Sequence, residues 1–322
     1  MKTVYINREV KNHAWGGGAH FVRSFVKLAN ENNFKLISKE QLLEGVKPDY
    51  VFIAGLDQED GHPSAEQITN HFFGSSTKII YRVNDCDARK GTQGVDERIR
   101  KISHQSNGII YVSEWMKEYH SNVIVDGVSG IGTRKIETCV IRNGVDHSWF
   151  SKPKTLLDYP KVRIAAHHWS SHSLKGADVY EQLDEWISDK LDRYSFTYIG
   201  RTESKFKNTL VIPPLFGKAM GDVLVDHDVY ISGSRWDPGP NHCIEALAAN
   251  LKTYVHKDGG GCVEFAGSDY AYSSFEELTT WLESDLRRIK ELGLVPFNQS
   301  IPDTWEICMK NCFEFMKDIN VV

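Results

Sequence analysis

Apolar residues in this chain gather in short clusters. The runs Thr3-Val4-Tyr5-Ile6, Tyr50-Val51-Phe52-Ile53, Lys78-Ile79-Ile80-Tyr81, Gly108-Ile109-Ile110-Tyr111-Val112 and Cys139-Val140-Ile141 are separated by polar segments. Continuous runs of this length suit strands buried on both faces, as in a parallel sheet. Between the first two lies Gly16-Gly17-Gly18, followed by HFVRSFVKLANE, in which Phe21, Phe25 and Leu28 recur at helical spacing. Strand, glycine loop and helix in that order open an α/β domain. After the proline-bearing SKPKTLLDYPK the rhythm restarts with Val162–Ala166, a helix over Ala177–Ser188, and strands at Phe196–Ile199, Asp228–Ile231 and Thr253–Val255. A helix over Cys243–Ala249, the glycine run Gly259–Gly261, and two helix-like segments at Ser274–Leu292 and Pro302–Asp318 complete the pattern. It predicts two Rossmann-like domains, 1–152 and 153–300, facing each other across a cleft, with a C-terminal helix over 301–322 packing back on the first.

Composition narrows the classes. The 322 residues are 41% hydrophobic and 25% charged, the make-up of an ordinary globular protein, and no internal repeat or low-complexity tract interrupts them. Thirty-eight Lys and Arg against 43 Asp and Glu leave a formal charge of −5, so a nucleic-acid partner would need a local basic patch. No apolar stretch approaches the roughly 20 residues of a membrane span, and the N-terminus turns charged too early for a signal peptide. The expected location is the cytoplasm. Six cysteines without CxxC spacing read as reduced thiols, and Cys308 with Cys312 as the packed face of a helix. His168 and His172 have a metal-compatible spacing, but they straddle a strand exit and no HExxH follows, so no metal site is expected.

The segment DVYISGSRWDPGPNHCIEALAAN, Asp228 to Asn250, runs from a strand through a Gly/Pro turn into a helix. Pro240 and Asn241 sit where a helix start favours a fixed φ and a capping side chain. First-turn N–H groups there suit a phosphate, and Asp237 and Glu245 suit hydroxyl donors.

This segment resembles the signature of retaining GT-B glycosyltransferases of the large family 4 group. Asp237 takes the first acidic place, usually Glu, and Glu245 the second, followed by Ala246, Leu247, Ala248 and Ala249. Asp258–Glu264 resembles the family's glycine-rich turn ending in Val-Glu, Gly16–Gly18 its N-terminal glycine loop, Val112–Trp115 its hydrophobic-Ser element, and Val140–Asp146 its Asn-Gly-Val-Asp turn. The resemblance spans residues 16 to 265. It implies that Glu245 binds the ribose of a nucleotide and that Asp237 lies near the transferred sugar. Lys175, in Lys175-Gly176, matches the family's phosphate-binding Lys, and Arg201, after the second strand of the C-terminal half, is the substitute for its companion Arg. Gly17, Gly18, Ser234, Asn241 and His242 fall on the donor side. Where many relatives place a His at a strand end, this chain has Asn84 with Asp85, expected to orient donor or acceptor hydroxyls. Arg82 and Arg89, with Lys90, form an expected basic patch for an anionic acceptor, and His168 an acceptor contact.

The expected activity is metal-independent transfer of a hexose or pentose from a nucleotide diphosphate sugar to a hydroxyl of a glycan or lipid-linked glycan, with retention and without a cofactor. A modified base in phage or viral DNA is a second acceptor, and a non-catalytic sugar-nucleotide-binding module is the rival from another class. A Rossmann oxidoreductase ranks below these, because Gly16–Gly18 is not GxGxxG.

Overall fold

The computed structural model describes residues 1–11, 17–124, 136–155 and 160–319. Its first elements are β1 (Lys2–Ile6), α1 (Gly17–Leu28), β2 (Phe34–Leu36), α2 (Lys39–Leu43), β3 (Tyr50–Ile53) and α3 (Ala65–Phe72). There follow β4 (Lys78–Val83), α4 (Val95–Gln105), β5 (Gly108–Tyr111), α5 (Glu114–Ile124) and β6 (Glu137–Val140). The strands form one parallel sheet in the order β2-β1-β3-β4-β5-β6. Because side chains alternate across a strand, Val4, Ile6 and Phe52 face one layer while Tyr5, Val51 and Ile53 face the other. Both layers are helix-covered, which is why whole strands such as β3 are buried.

The second series is β7 (Val162–His168), α6 (Ala177–Trp186), β8 (Tyr194–Gly200), β9 (Leu210–Ile212), α7 (Lys218–Leu224) and β10 (Val229–Ser232). It continues with α8 (Asn241–Ala248), β11 (Lys252–His256), α9 (Gly261–Ala266), β12 (Ala271–Tyr272) and α10 (Phe275–Leu292). This sheet is also parallel, in the order β12-β11-β10-β7-β8-β9. Strand order therefore reverses between β7 and β10, and crevices at such a switch point collect ligands at the carboxyl ends of the strands.

The last helix, α11 (Trp305–Asp318), buries Trp305, Cys308, Met309, Cys312, Phe313 and Met316 as one stripe against the first sheet's layer. Phe313 lies 4.7 Å from Phe25 and 5.0 Å from Phe34 between ring centres. The chain thus divides into one unit of 1–144 with 305–322 and a second of 145–304. Residues 145–152 join the second unit because Val145 N–H donates to Asp303 O at 3.0 Å and His147 Nε2 meets Pro302 O at 2.9 Å. All six cysteines are free. No described helix is long and apolar enough to cross a membrane.

Candidate functional site

Two loops leave the switch point of the 145–304 sheet, one after β7 and one after β10. They cross at two glycines, and a Cβ on Gly176 would lie 2.4 Å from Gly233 Cα. Gly176 also has φ +95°, a conformation that side chains resist. This close approach delivers Lys175 to Asp237. The ammonium and carboxylate form an ion pair, with side chains 18% and 7% exposed. Asp237 is held by its backbone as well: its N–H donates to Gly259 O at 3.2 Å and its carbonyl accepts from Gly261 N–H at 2.8 Å. The preceding Trp236 adopts φ +50°, and its N–H donates to Asp258 O at 2.8 Å. A charged pair in so little solvent interacts more strongly than a surface pair, provided that its geometry is fixed.

Glu245 projects from α8 to His167 at the end of β7, with Oε2 and Nε2 2.8 Å apart. His167 is fixed through its backbone, whose N–H donates to the Tyr230 hydroxyl at 3.0 Å. Next to it, His168 Nε2 lies 2.6 Å from the Tyr180 hydroxyl, which also accepts from Gly233 N–H at 3.0 Å. Burial, reinforced by His242 and Lys175, holds the pKa of His168 well below the usual histidine range. The hydroxyl of Tyr180 thereby ties the two loops together.

Beside the pair opens a cavity of about 630 Å³, lined among others by Lys175, Arg201, His172, Ser170 and Ser204. Arg201 is exposed, and its guanidinium stacks 4.0 Å from the Trp169 ring centre. The same open cavity is lined by the carboxylates of Glu181 and Glu203, so cations, anions and several hydroxyls face it together. Ser234 Oγ is buried without a hydrogen-bond partner among the described residues.

Several expectations need correction. Asn241 is the first residue of α8 rather than its cap; Pro240 is the cap and makes no side-chain hydrogen bond. His242 is 7% exposed, with Nε2 2.9 Å from Ser232 Oγ and Nδ1 3.9 Å from the Asp237 carboxylate. His168 is 4% exposed and spends Nε2 on Tyr180, which removes it as an acceptor contact.

In the other unit, Arg82 is 2% exposed and not part of a surface patch, because β4 runs on past it to Val83. Arg89 and Lys90 pair with Asp85 at 3.3 and 3.4 Å. Asp85 is half-buried, as is Asn84, whose amide lies 3.5 Å from Ala54 O. Gly17 and Gly18 open α1, and a Cβ on Gly18 would meet nothing within 4 Å. Gly16 lies outside the described residues.

No family model and no curated protein matches this sequence. Solved structures do. The chain superposes on sucrose-phosphate synthase from Thermosynechococcus elongatus with a TM-score of 0.71 at 10% identity, covering 99% of both chains. It is similar to the catalytic domain of starch synthase IV from Arabidopsis thaliana, bound to ADP and acarbose, with 0.69 at 10% identity over 99% of each. It is also similar to the trehalose-6-phosphate synthase OtsA, with 0.68 at 12% identity, covering 100% of this chain and 99% of that one. The chain has the GT-B fold. In this GT-B chain, Lys175, Asp237, Glu245 and Arg201 gather at the strand ends of one unit. What the sequence left hidden was the bonding of Glu245 to His167 and of His168 to Tyr180, since only adjacency of β7, β10 and α6 brings those partners together.

Proposed function

We propose that the chain is a glycosyltransferase that moves a sugar from a nucleotide diphosphate sugar to an acceptor hydroxyl with retention of configuration. The observation that carries this reading is the convergence of Lys175, Asp237 and Glu245 on the β7/β10 switch point. Glu245 is half-buried, with one carboxylate oxygen on His167, and the carboxylate suits the ribose hydroxyls. Lys175 and Arg201 line one cavity and would balance the charge growing on the departing diphosphate, so no divalent cation is required there. Asp237, fixed by Lys175 and by the turn at Gly259–Gly261, would orient the transferred sugar. The bond from the anomeric carbon to the diphosphate breaks as the bond to the acceptor oxygen forms on the same face, and the diphosphate takes the acceptor's proton. The fold neighbours are named for sugar products, which favours a sugar hydroxyl as acceptor.

The test is a screen of UDP-, GDP-, ADP- and dTDP-sugars, reading thermal shift and release of nucleoside diphosphate. One donor is expected to stabilise the protein and to be slowly hydrolysed whether or not Mg²⁺ or Mn²⁺ is added. Glu245→Ala, with its melt checked for an intact fold, should weaken that donor by ~10–100-fold, the value of a hydrogen bond to a charged group. Binding without release would favour a non-catalytic module, and no binding of any donor would overturn both readings.

A further inference from the structure

Under the Lys175–Asp237 pair lies a group of side chains that glycosyl transfer does not use. His242 and Cys243 stand in the first turn of α8, and Cys262 follows the glycine turn after β11. They are 7%, 0% and 0% exposed. One ligand atom from each lies within 4.8 Å of both others. Cys262 Sγ is 3.8 Å from His242 Nε2, and Ser232 Oγ is 2.9 Å from the same nitrogen and 3.9 Å from Cys262 Sγ.

We propose that His242 Nε2, Cys243 Sγ and Cys262 Sγ form a buried site for a thiophilic cation, Zn²⁺ in first place, with Ser232 Oγ at the fourth position. Two sulfurs and an imidazole nitrogen are the donor set that tetrahedral zinc takes. Bonds of about 2.3 Å to sulfur and 2.0 Å to nitrogen put such donors roughly 3.5–3.8 Å apart, the spacing that Cys262 and His242 already have. Behind the imidazole, Nδ1 faces the Asp237 carboxylate at 3.9 Å, the place of the carboxylate that commonly orients a ligating histidine.

Its consequence is mechanical. The loops after β10 and β11 already meet through the Asp237–Gly260 bridge, and a metal across Cys243 and Cys262 would lock the turn that carries Asp237. The site is closed, which suits a structural ion rather than one that activates water.

The experiment uses full-length protein, reduced and stripped with a chelator, then titrated with Zn²⁺ and, for its thiolate charge-transfer absorption, Cd²⁺. Metal content after dialysis and alkylation of each cysteine, located by mass spectrometry, are read in parallel. Expected are one zinc per chain, a raised melting temperature, and protection of Cys243 and Cys262 from alkylation. Cys243→Ala and Cys262→Ser should each weaken zinc by ~100-fold or more, while Cys308→Ala in α11 leaves one zinc bound. Both thiols are buried without metal, so protection is read as the difference between stripped and zinc-loaded wild-type protein; that comparison and the metal content need no variant, and a misfolded variant does not blunt the test. Substoichiometric zinc in reduced wild-type protein, or equal binding by the two cysteine variants, overturns the proposal. These readouts do not depend on the transferase reading.

Discussion

Arg82 carries a full charge into the interior of its unit and is poorly compensated there. Its Nη2 donates to Asn143 Oδ1 at 2.6 Å and its guanidinium lies 4.2 Å from the Phe21 ring centre, but Nε and Nη1 have no hydrogen-bond partner among the described residues. Burial is the main force on its pKa and lowers it to about 10, which corresponds to a penalty on the order of 3 kcal/mol for holding the charge. Arg163 shows the contrasting case, since Asp228 takes its Nε at 3.1 Å and Lys154 at 2.6 Å, and the carboxylate is held below its usual range although burial opposes this. Replacing a buried, ill-paired charge by an apolar side chain of similar length commonly stabilises a protein. Arg82→Met is therefore expected to raise the unfolding free energy in urea by ~1–3 kcal/mol. A loss of similar size would instead indicate an anion bound at Nε and Nη1.

At the scale of elements, the site depends on two loops passing closer than side chains allow. Gly176→Ala places a Cβ 2.4 Å from Gly233 Cα on a backbone at φ +95°, so the loops must part and carry Lys175 away from Asp237. Gly74, at φ +77° with nothing within 4 Å, is the control, and its Ala variant should cost only the ~1–2 kcal/mol of a left-handed backbone. Gly176→Ala is expected to lose more than this in thermal and urea unfolding and to lose donor binding as well, whereas Gly74→Ala keeps donor binding. Legibility follows the same physics. Central strands such as Tyr50–Ile53 were readable because burial on both faces makes them continuous apolar runs. The edge strands β2, β9 and β12 were not, being two or three residues long and, in β9, exposed at Leu210 and Val211. The sequence pointed to Lys175, Asp237 and Glu245 through its resemblance to the family signature. It misplaced Arg82, because a charge near the end of KIIYRV reads as a strand exit, and it missed His167 as the partner of Glu245, 78 residues away.

Across the whole molecule, acid is expected to weaken both units, and in two stages. His120 in the first unit is buried, with Nδ1 lacking a hydrogen-bond partner among the described residues and Nε2 3.3 Å from Asp85 O. In the second unit, His227 Nδ1 lies 2.9 Å from Val223 O. Burial lowers both pKa values. The carbonyl of Asp85 and the carboxylates of Asp96, Asp85 and Asp87 pull His120 part of the way back. Val223 O, Asp228 and Asp226 do the same for His227, while Arg163 deepens its shift. A base depressed in the folded state stays neutral while the unfolded chain takes up its proton. Stability is therefore intact above ~6.5 and falls as the pH drops below it, by up to ~1.4 kcal/mol per pH unit for each histidine. Carboxylates act at lower pH; their pKa values are lowered as well, but by partners that hold the charged form rather than by burial. Against the pull of burial, Lys152 and the Thr155 N–H hold Asp226 at about 2, and the Thr209 hydroxyl with the N–H groups of Lys207 and Asn208 lowers Asp184. Their contribution is present above ~4 and is lost as the pH falls towards 2. Urea unfolding measured from pH 8 to pH 3 should show a plateau, a first decline below ~6.5 and a second below ~4. His227→Gln should make the first decline shallower, with His120, His168 and His256 still contributing to it, and leave the second in place. Stability that stays level from pH 7 to pH 5 would mean that these histidines take up protons without leaving the fold.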